Sequence, residues 1–188
     1  GMHHARKDIA IALKDVLGDI LQNVYYKSEG TLPYKANIEN GNEYLYGNYS
    51  EKEHIATEKG LQFQIDWLKG QKTGFFVDQR ENRLLLEKYA HARNVLNMFC
   101  YTGGFSVYAM RGNAKIVHSV DSSAKAISLT EKNISLNFPG DNRHQAYTED
   151  AFDFLEKTGD QYDLIILDPP AFAKHKNVLR NALQGYRK

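Results

Sequence analysis

The stretch Val95-Leu-Asn-Met-Phe-Cys-Tyr-Thr-Gly-Gly-Phe105 decides the fold class. It opens with residues typical of a strand, continues through a turn at Gly103-Gly104, and leads into a short helix that we predict from Phe105 to Met110. The same order of strand, turn and helix recurs along the rest of the chain. Strands joined through helices run parallel, so the pattern predicts an α/β fold with a doubly wound parallel sheet.

Three more strands are predicted after this one, each followed by a turn or a helix. They cover residues 115–120, 144–148 and 164–167. Helices are predicted over 124–133, with Ser122 or Ser123 as the N-cap, and over 150–157. The strand Leu164-Ile-Ile-Leu167 is apolar at every position, which predicts burial on both faces.

Residues 1–70 predict a separate, small α+β region. Apolar residues at helical spacing favour a helix from Ala5 to Leu17, ended by Gly18. Residues 20–60 are rich in tyrosine and turn residues. Tyrosines near Lys27 and Lys35 suit stacking on unpaired bases, which gives this region a possible role in RNA positioning, but packing of a small sheet is the more frequent use of such residues. Leu61 to Trp67 alternates like a half-buried strand.

Composition excludes several classes of protein. The 24 Lys and Arg residues nearly balance 23 Asp and Glu residues, so affinity for nucleic acid must come from a local site and not from bulk charge. A single cysteine, Cys100, excludes a disulfide framework and a cysteine-based zinc site, and we expect no metal. No apolar run approaches the roughly 20 residues that span a bilayer. We expect a soluble cytoplasmic protein without a membrane partner.

Acidic residues follow three of the predicted strands, at the sheet edge where ligands bind in such folds. Asp121 ends the second strand, the position of a carboxylate that accepts hydrogen bonds from ribose hydroxyls. Asp150 is followed closely by Phe152, an acid and an aromatic ring suited to an adenine edge and face. Asp168 lies in a turn made rigid by prolines. Each feature alone has an ordinary structural explanation, but their joint placement predicts a nucleoside site.

These residues carry a family resemblance. Asn97-x-Phe-x-Tyr-Thr-Gly-Gly-Phe105, Asp121, Asp150 and Asp168-Pro-Pro-x-Phe172 resemble motifs I to IV of class I S-adenosylmethionine-dependent methyltransferases, whose fold is Rossmann-like. More narrowly, the segment Lys72–Arg83 and the ending Leu183–Lys188 resemble the bacterial large-subunit ribosomal RNA cytosine-carbon-5 methyltransferases. The resemblance implies a methyltransferase core over 71–188 that uses S-adenosylmethionine and acts on ribosomal RNA, and it is compatible with a homodimer.

The resemblance also implies a set of site residues. It assigns Asp168 to positioning the target base, and Pro170 and Phe172 to contacting it. The residues that it places around the methyl donor are Gln79, Arg80, Asn97, Phe99, Tyr101, Thr102, Gly103, Gly104, Phe105, Asp121, Ser122, Asp150, Ala151, Phe152, Asp168 and Pro169.

Parts of the family pattern have no counterpart in these 188 residues. Members usually carry an N-terminal PUA-like RNA-binding domain, and a later Ser-Cys-Ser region whose cysteine attacks carbon 6 of cytosine. Cys100 lies within motif I and is a poor candidate for that nucleophile. We therefore expect a core truncated after motif IV that is inactive alone.

The sequence is also compatible with other functions. The Asp168-Pro-Pro-Ala-Phe172 loop also resembles motif IV of enzymes that methylate guanine or adenine nitrogens. A non-enzymatic RNA-binding module is another reading. A nicotinamide-dependent dehydrogenase is disfavoured, because Tyr101–Phe105 lacks the Gly-x-Gly-x-x-Gly pattern.

Overall fold

A computed structural model of the chain describes residues 3–28, 41–48 and 54–170. They form two compact units. One contains the described residues up to His54 together with Asp66–Phe75, and the other contains Ile55–Ile65 together with the described residues from Phe76 on. The chain thus crosses between the units at 54–55, 65–66 and 75–76, whereas the sequence predicts one boundary near residue 70. No helix within the described ranges is long and apolar enough to cross a bilayer.

The first unit contains α1 (Arg6–Leu17), a short 3-10 helix (Gly18–Ile20), β1 (Val24–Lys27) and β2 (Asn42–Tyr46). Helix α1 agrees with the predicted helix to within one residue and ends at Gly18, whose φ is 54°. Its apolar stripe is largely open to solvent: Ala10 is buried, but Val16 is 82% exposed. Periodicity therefore predicted the helix but not the burial of its apolar face.

The tyrosine-rich segment of this unit packs as an antiparallel pair of strands. Tyr25 lies opposite Tyr44, and their ring centroids are 4.8 Å apart. The Lys27 ammonium donates to the carbonyls of Trp67 and Gly70 at 2.8 and 2.6 Å. The described tyrosines and Lys27 thus have structural contacts, the more ordinary of the two sequence interpretations. Lys35 lies outside the described residues.

The second unit is built on a four-stranded parallel sheet in the order β7-β6-β5-β8. Successive strands pass outward from β5 to β7, and β8 then lies on the other side of β5, so the strand order reverses between β5 and β8. Ligands bind in such folds at the carboxyl ends of the strands near this point. The strands are β5 (Asn94–Met98), β6 (Ile116–Asp121), β7 (His144–Thr148) and β8 (Leu164–Leu167).

Within the described part of this unit, four helices accompany the sheet: α2 (Arg80–Tyr89), α3 (Gly104–Arg111), α4 (Ala124–Asn137) and α5 (Ala151–Lys157). The predicted doubly wound fold is confirmed, although α4 is longer than expected. Sequence reasoning missed α2, although its strong helix formers and its Glu81 and Lys88 at opposite ends suit a helix. On one face of the sheet the core consists of Leu96, Met98, Val120, Ala151 and Phe154.

Strand β8 departs from the prediction that both its faces are buried. Ile165 and Leu167 are 51% and 64% exposed, whereas Leu164 and Ile166 are partly buried. Among the described strands β8 is an edge, with β5 as its one neighbour. An apolar run can therefore form a strand while only one of its faces packs.

An antiparallel hairpin braces the second unit. It consists of β3 (Ile55–Glu58) and β4 (Leu61–Gln64), so the predicted strand from Leu61 ends before Trp67. Phe63 is 1% exposed, and its ring stacks 6.4 Å from that of Tyr108 in α3. Burial of these aromatic rings ties the hairpin to the helical layer.

Glu58, at the end of β3, is the charged centre of this brace. The buried Arg83 guanidinium donates two bonds to Oε1, from Nε at 2.9 Å and Nη2 at 2.7 Å. Arg80 donates to Oε2 at 3.0 Å, and the Tyr108 hydroxyl donates to Oε1 at 2.9 Å. Burial alone would raise the pKa of Glu58, but the hydrogen bonds from Arg80 and Arg83 hold it below its ordinary value. The carboxylate therefore joins β3 to both α2 and α3.

Replacing Glu58 by Gln should strongly destabilise the second unit. The change leaves the Arg83 guanidinium buried without its counter-charge, which costs about 3–5 kcal/mol when a buried pair is broken. Glu149→Gln is the matched control in the same unit, because its partner Lys157 is 68% exposed, and such pairs contribute about 0–1 kcal/mol. Urea unfolding measures both; equal losses would contradict the central role of Glu58.

The same carboxylate predicts a pH dependence. Because the pKa of Glu58 is lowered in the folded state, its stabilising effect is complete above the ordinary glutamate pKa and is lost as the pH falls through the folded-state pKa. The difference in unfolding free energy between the unchanged chain and Glu58→Gln should therefore shrink on acidification. Urea unfolding at a series of acidic pH values tests this, and a constant difference would contradict it.

Candidate functional site

The loop that joins β5 to α3 has an unusual backbone. Phe99, Tyr101 and Gly103 have φ values of 54°, 49° and 74°, so alternate residues are left-handed. This conformation is unfavourable for residues other than glycine, and such strain persists only where the surroundings hold it. Strained loops are concentrated at ligand sites, and this one lies at the reversal of strand order.

Side chains from β6 and α4 hold this loop. Asp121 Oδ2 accepts a hydrogen bond from the Tyr101 amide at 2.9 Å. Thr130 donates to the Tyr101 carbonyl at 3.0 Å, and Asn133 donates to the Thr102 carbonyl at 2.9 Å. A Cβ on Gly103 would lie 2.5 Å from Cγ2 of Thr130. Gly103 is therefore required both by its positive φ and by this close approach.

Asp121 is the best-placed polar group for a nucleoside ligand. Its other oxygen, Oδ1, accepts from the Ser123 amide at 2.9 Å, so each oxygen takes one backbone N–H. A carboxylate has about four acceptor positions, which leaves capacity for hydroxyl donors on its partly exposed side. The neighbouring Ser122 is exposed. The remaining hydrogen-bond acceptor positions of Asp121 thus fit the ribose contact that the sequence predicts.

Asp150 has a structural role as well as a predicted ligand role. Its Oδ1 accepts from the Phe152 and Asp153 amides at 2.9 and 3.3 Å and so caps the N-terminus of α5. Oδ2 takes part in neither bond. Ala151 is buried and Phe152 is half-buried. An adenine contact is therefore compatible with the cap, although the cap alone explains an acid at this position.

A groove of about 470 Å³ brings together three predicted site residues from different elements: Gln79, Phe105 and Asp168. Gln79 precedes α2, Phe105 lies in the first turn of α3, and Asp168 follows β8. The remainder of the lining is mainly apolar and follows α2 and β8: Asn82, Leu85, Leu86, Tyr89, Leu164, Ile165, Ile166 and Leu167.

The loop after β8 is described only in part. Asp168 and Pro170 are exposed, and Pro169 is half-buried. The predicted substrate residue Phe172 lies outside the described residues. Asp168 can therefore face a ligand, as the sequence predicts.

Three predicted ligand residues have their side chains engaged elsewhere. Arg80 is held by Glu58 and does not line the groove. Asn97 is 1% exposed and donates to Ser106 Oγ at 2.9 Å. Phe99 packs against the core cluster that contains Met98. Their side chains therefore support the surrounding structure, and their predicted contacts with the methyl donor stay predictions.

Asn97 belongs to a buried polar chain that crosses the sheet. Ser106 Oγ lies 2.6 Å from Ser119 Oγ, which lies 2.8 Å from His144 Nε2. Burial, with a smaller contribution from His118, lowers the pKa of His144 to about 4. The imidazole is thus neutral at neutral pH, and the chain joins β5, α3, β6 and β7 without a buried charge.

Sequence reasoning missed three residues that shape the loop. Phe76 makes an edge contact with Tyr101, with ring centroids 5.4 Å apart. Thr130 and Asn133 support the loop carbonyls from α4. Thr130 and Asn133 had a signal in the sequence, because their spacing places them on the same face of α4 as the apolar Ile127 and Ile134. The structure shows that both are completely buried.

Cys100 is unsuited to nucleophilic attack. It is 6% exposed, and its sulfur lies 3.8 Å from Thr130 Oγ1. Burial, followed by the negative charge of Asp121, raises the pKa of Cys100 to about 12. The thiolate is the reactive form, so this residue packs the loop and is inert at neutral pH.

Two curated relatives are named as ribosomal RNA large subunit methyltransferases. The protein of Tolumonas auensis, with the suffix I, is 36% identical over 191 residues, which cover 100% of this chain and 48% of the relative. That of Deinococcus radiodurans is 42% identical over 147 residues, which cover 77% of this chain and 36% of the relative. The chain therefore spans about half the length, or less, of these proteins.

A solved structure shares the fold over almost the whole chain. The crystal structure of "a putative methyltransferase complexed with SAH" superimposes with a TM-score of 0.77 at 28% identity, covering 97% of this chain and 49% of that protein. The profile of the S-adenosylmethionine-dependent methyltransferase family matches residues 27–188. With the Rossmann-like sheet and the loop held by Asp121, these matches show that the chain belongs to the S-adenosylmethionine-dependent methyltransferase family.

Proposed function

We propose that this chain binds S-adenosylmethionine at the carboxyl ends of β5, β6 and β7, and that it serves the methylation of carbon 5 of a cytosine in large-subunit ribosomal RNA. The observation that carries the proposal is the Asp121 carboxylate. It holds the strained Tyr101 amide while keeping acceptor positions for a ribose. The family match and the names of the curated relatives support the donor and the RNA class.

The chain's own residues would orient the donor as follows. Asp121 would hold the ribose through its hydroxyls, Asp150 Oδ2 would hold the adenine, and the first-turn amides of α3 would hold the amino-acid end of the donor. When bound, S-adenosylmethionine supplies an electrophilic methyl group. The protein's contribution is then mainly to align donor and acceptor. Gln79, Phe105 and Asp168, which line the groove, are our further candidates for contacts with the donor, and Asp168 also for the target base.

The target base would lie at the Asp168-Pro169-Pro170 turn. Because the turn is rigid and partly exposed, it can hydrogen-bond a base that is single-stranded or flipped from its stack. The aromatic first unit is our candidate for a second contact with the RNA. Its described tyrosines are partly exposed, so their ring faces can contribute stacking area.

Carbon 5 of cytosine needs a further group. The ring becomes nucleophilic there only after a thiolate has added at carbon 6. Cys100, the single cysteine, is buried and has a pKa of about 12. The thiolate must therefore come from outside these 188 residues. A second candidate function is methylation of a guanine or adenine nitrogen, a displacement that needs no thiol; the resemblance of the Asp168-Pro-Pro-Ala-Phe172 loop to motif IV of such enzymes supports it.

Replacing Asp121 by Ala should weaken binding of S-adenosylhomocysteine more than tenfold. A charged hydrogen-bond acceptor of this kind contributes on the order of 1.5–3 kcal/mol. Titration calorimetry measures the Kd. Asp153→Ala is the control, since Asp153 is exposed on α5 and should bind as the unchanged chain does. An unchanged Kd in Asp121→Ala would remove Asp121 from the site.

The 188-residue chain should bind the cofactor but should not methylate cytosine carbon 5. The test is transfer of a tritiated methyl group to deproteinised large-subunit RNA, with nucleoside analysis of the product. Label on cytosine carbon 5 that disappears in Cys100→Ala would mean that Cys100 is the nucleophile after all. Label on a purine nitrogen would establish the second candidate function.

A further inference from the structure

Two asparagines of α4 pair with the outer edge of the hairpin strand β4. Asn137 accepts from the Gln62 amide at 2.8 Å and donates to the Gln62 carbonyl at 2.7 Å. One helical turn earlier, Asn133 Oδ1 accepts from the Gln64 amide at 2.7 Å. Side-chain amides thus satisfy strand-edge groups that a further strand would otherwise pair.

Asn133 differs from Asn137 in the partner of its side-chain nitrogen, Nδ2. Its Nδ2 donates to the carbonyl of Thr102, in the loop between β5 and α3, at 2.9 Å. Asn133 is completely buried, so neither bond competes with water. An amide side chain can accept at one atom and donate at the other, and Asn133 uses both to connect β4 to the loop.

The loop depends on contacts from outside itself. Its left-handed residues Phe99 and Tyr101 are unfavourable unless the surrounding structure fixes the peptide planes. Asp121 fixes the N–H of Tyr101 on one side. On the other side Thr130 fixes the carbonyl of Tyr101, and Asn133 fixes the carbonyl of the next residue. Asn133 is the member of this set that is anchored to the hairpin.

We infer that Asn133 is a positioning residue for donor binding: it transmits the fixed position of β4 to the Thr102 carbonyl and so holds the loop in its strained, binding-competent form. The inference rests on the proposed function, because the loop is assigned to the nucleoside there. It gives strand β4 of the hairpin a role in the site that acts through Asn133. Asn133 acts through the loop and has no part in the methyl transfer itself.

The test compares Asn133→Leu with Asn137→Leu by hydrogen exchange and by binding. Leu has the same number of side-chain heavy atoms and the same branching as Asn but makes no hydrogen bond. In Asn133→Leu the amides of Tyr101 and Gly103 should exchange roughly tenfold faster, and the Kd for S-adenosylhomocysteine should rise by roughly the same factor, the size expected from one buried hydrogen bond. Exchange in β6 should remain unchanged.

Asn137→Leu is the matched control. It removes the pairing with Gln62 and the bond that Asn137 Nδ2 donates to the Asn133 carbonyl at 2.7 Å, but it leaves the side-chain bonds of Asn133 to Gln64 and Thr102 in place. Exchange should increase in the hairpin, while loop exchange and the Kd stay as in the unchanged chain. If Asn137→Leu loosened the loop as much as Asn133→Leu, hairpin packing in general would be responsible, and the specific role of Asn133 would be wrong.

Asn133→Asp provides a second variant in case the leucine variant does not fold. Its ionised carboxylate can still accept from Gln64 but has no hydrogen to donate to Thr102. A protonated carboxyl can do both. Loop exchange, relative to the unchanged chain at the same pH, should therefore be faster at neutral pH and approach a ratio of one on acidification. Exchange in β6 is the internal control for general destabilisation by the buried charge. A specific role of Asn133 in holding the loop requires that exchange in β6 stay as in the unchanged chain while loop exchange follows this pH profile.

The outcomes separate this inference from the proposed function. If the unchanged chain does not bind S-adenosylhomocysteine, the proposed donor site fails, and loop exchange in the variants still decides whether Asn133 holds the loop. If the unchanged chain binds, but the folded Asn133 variants show unchanged loop exchange and an unchanged Kd, the inference is overturned while the proposed function stands.

Discussion

The hydrogen bond from the Tyr101 amide to the Asp121 carboxylate is the contact on which the site depends. It joins the carboxyl ends of β5 and β6, the strands that meet in the middle of the sheet. It also stabilises a loop whose residues Phe99 and Tyr101 are in a left-handed conformation. One carboxylate therefore holds the protein's backbone, and in the proposed function it also accepts hydrogen bonds from the ribose. A site that is fixed before its ligand arrives loses less entropy on binding.

The structure also depends on a buried ion pair. Glu58 gathers Arg83, Arg80 and the Tyr108 hydroxyl at the junction of the hairpin with α2 and α3. A buried ion pair of this kind adds less to stability than its removal would cost, but it strongly specifies which partners meet. It orients the first turn of α2, and Gln79, immediately before α2, lines the groove. The start of α2 beside the groove and the loop between β5 and α3 are thus both held by polar groups that lie behind them.

Polar groups also connect the layers of the second unit. The chain from Asn97 through Ser106 and Ser119 to His144 links three strands and a helix within the core. Its members are neutral, so it satisfies buried donors and acceptors without the desolvation cost of a charge. The side chain of Asn97, a predicted ligand residue, therefore contributes to the supporting structure. Motif positions alone do not separate support from contact, because both lie near the ligand.

The sequence by itself determined the order of strands and helices, the parallel sheet and the carboxylates at its edge, because local periodicity and turn residues encode these features. It could not determine that the apolar stripe of α1 around Val16 stays exposed, or that the hairpin carrying Glu58 belongs with the sheet. Nor could it reveal that Asn133 meets both Gln64 and Thr102. These outcomes depend on contacts between residues far apart in the chain. Only the tertiary structure brings such residues within hydrogen-bonding distance, and it decides which polar side chains are used inside the protein and which remain for a ligand.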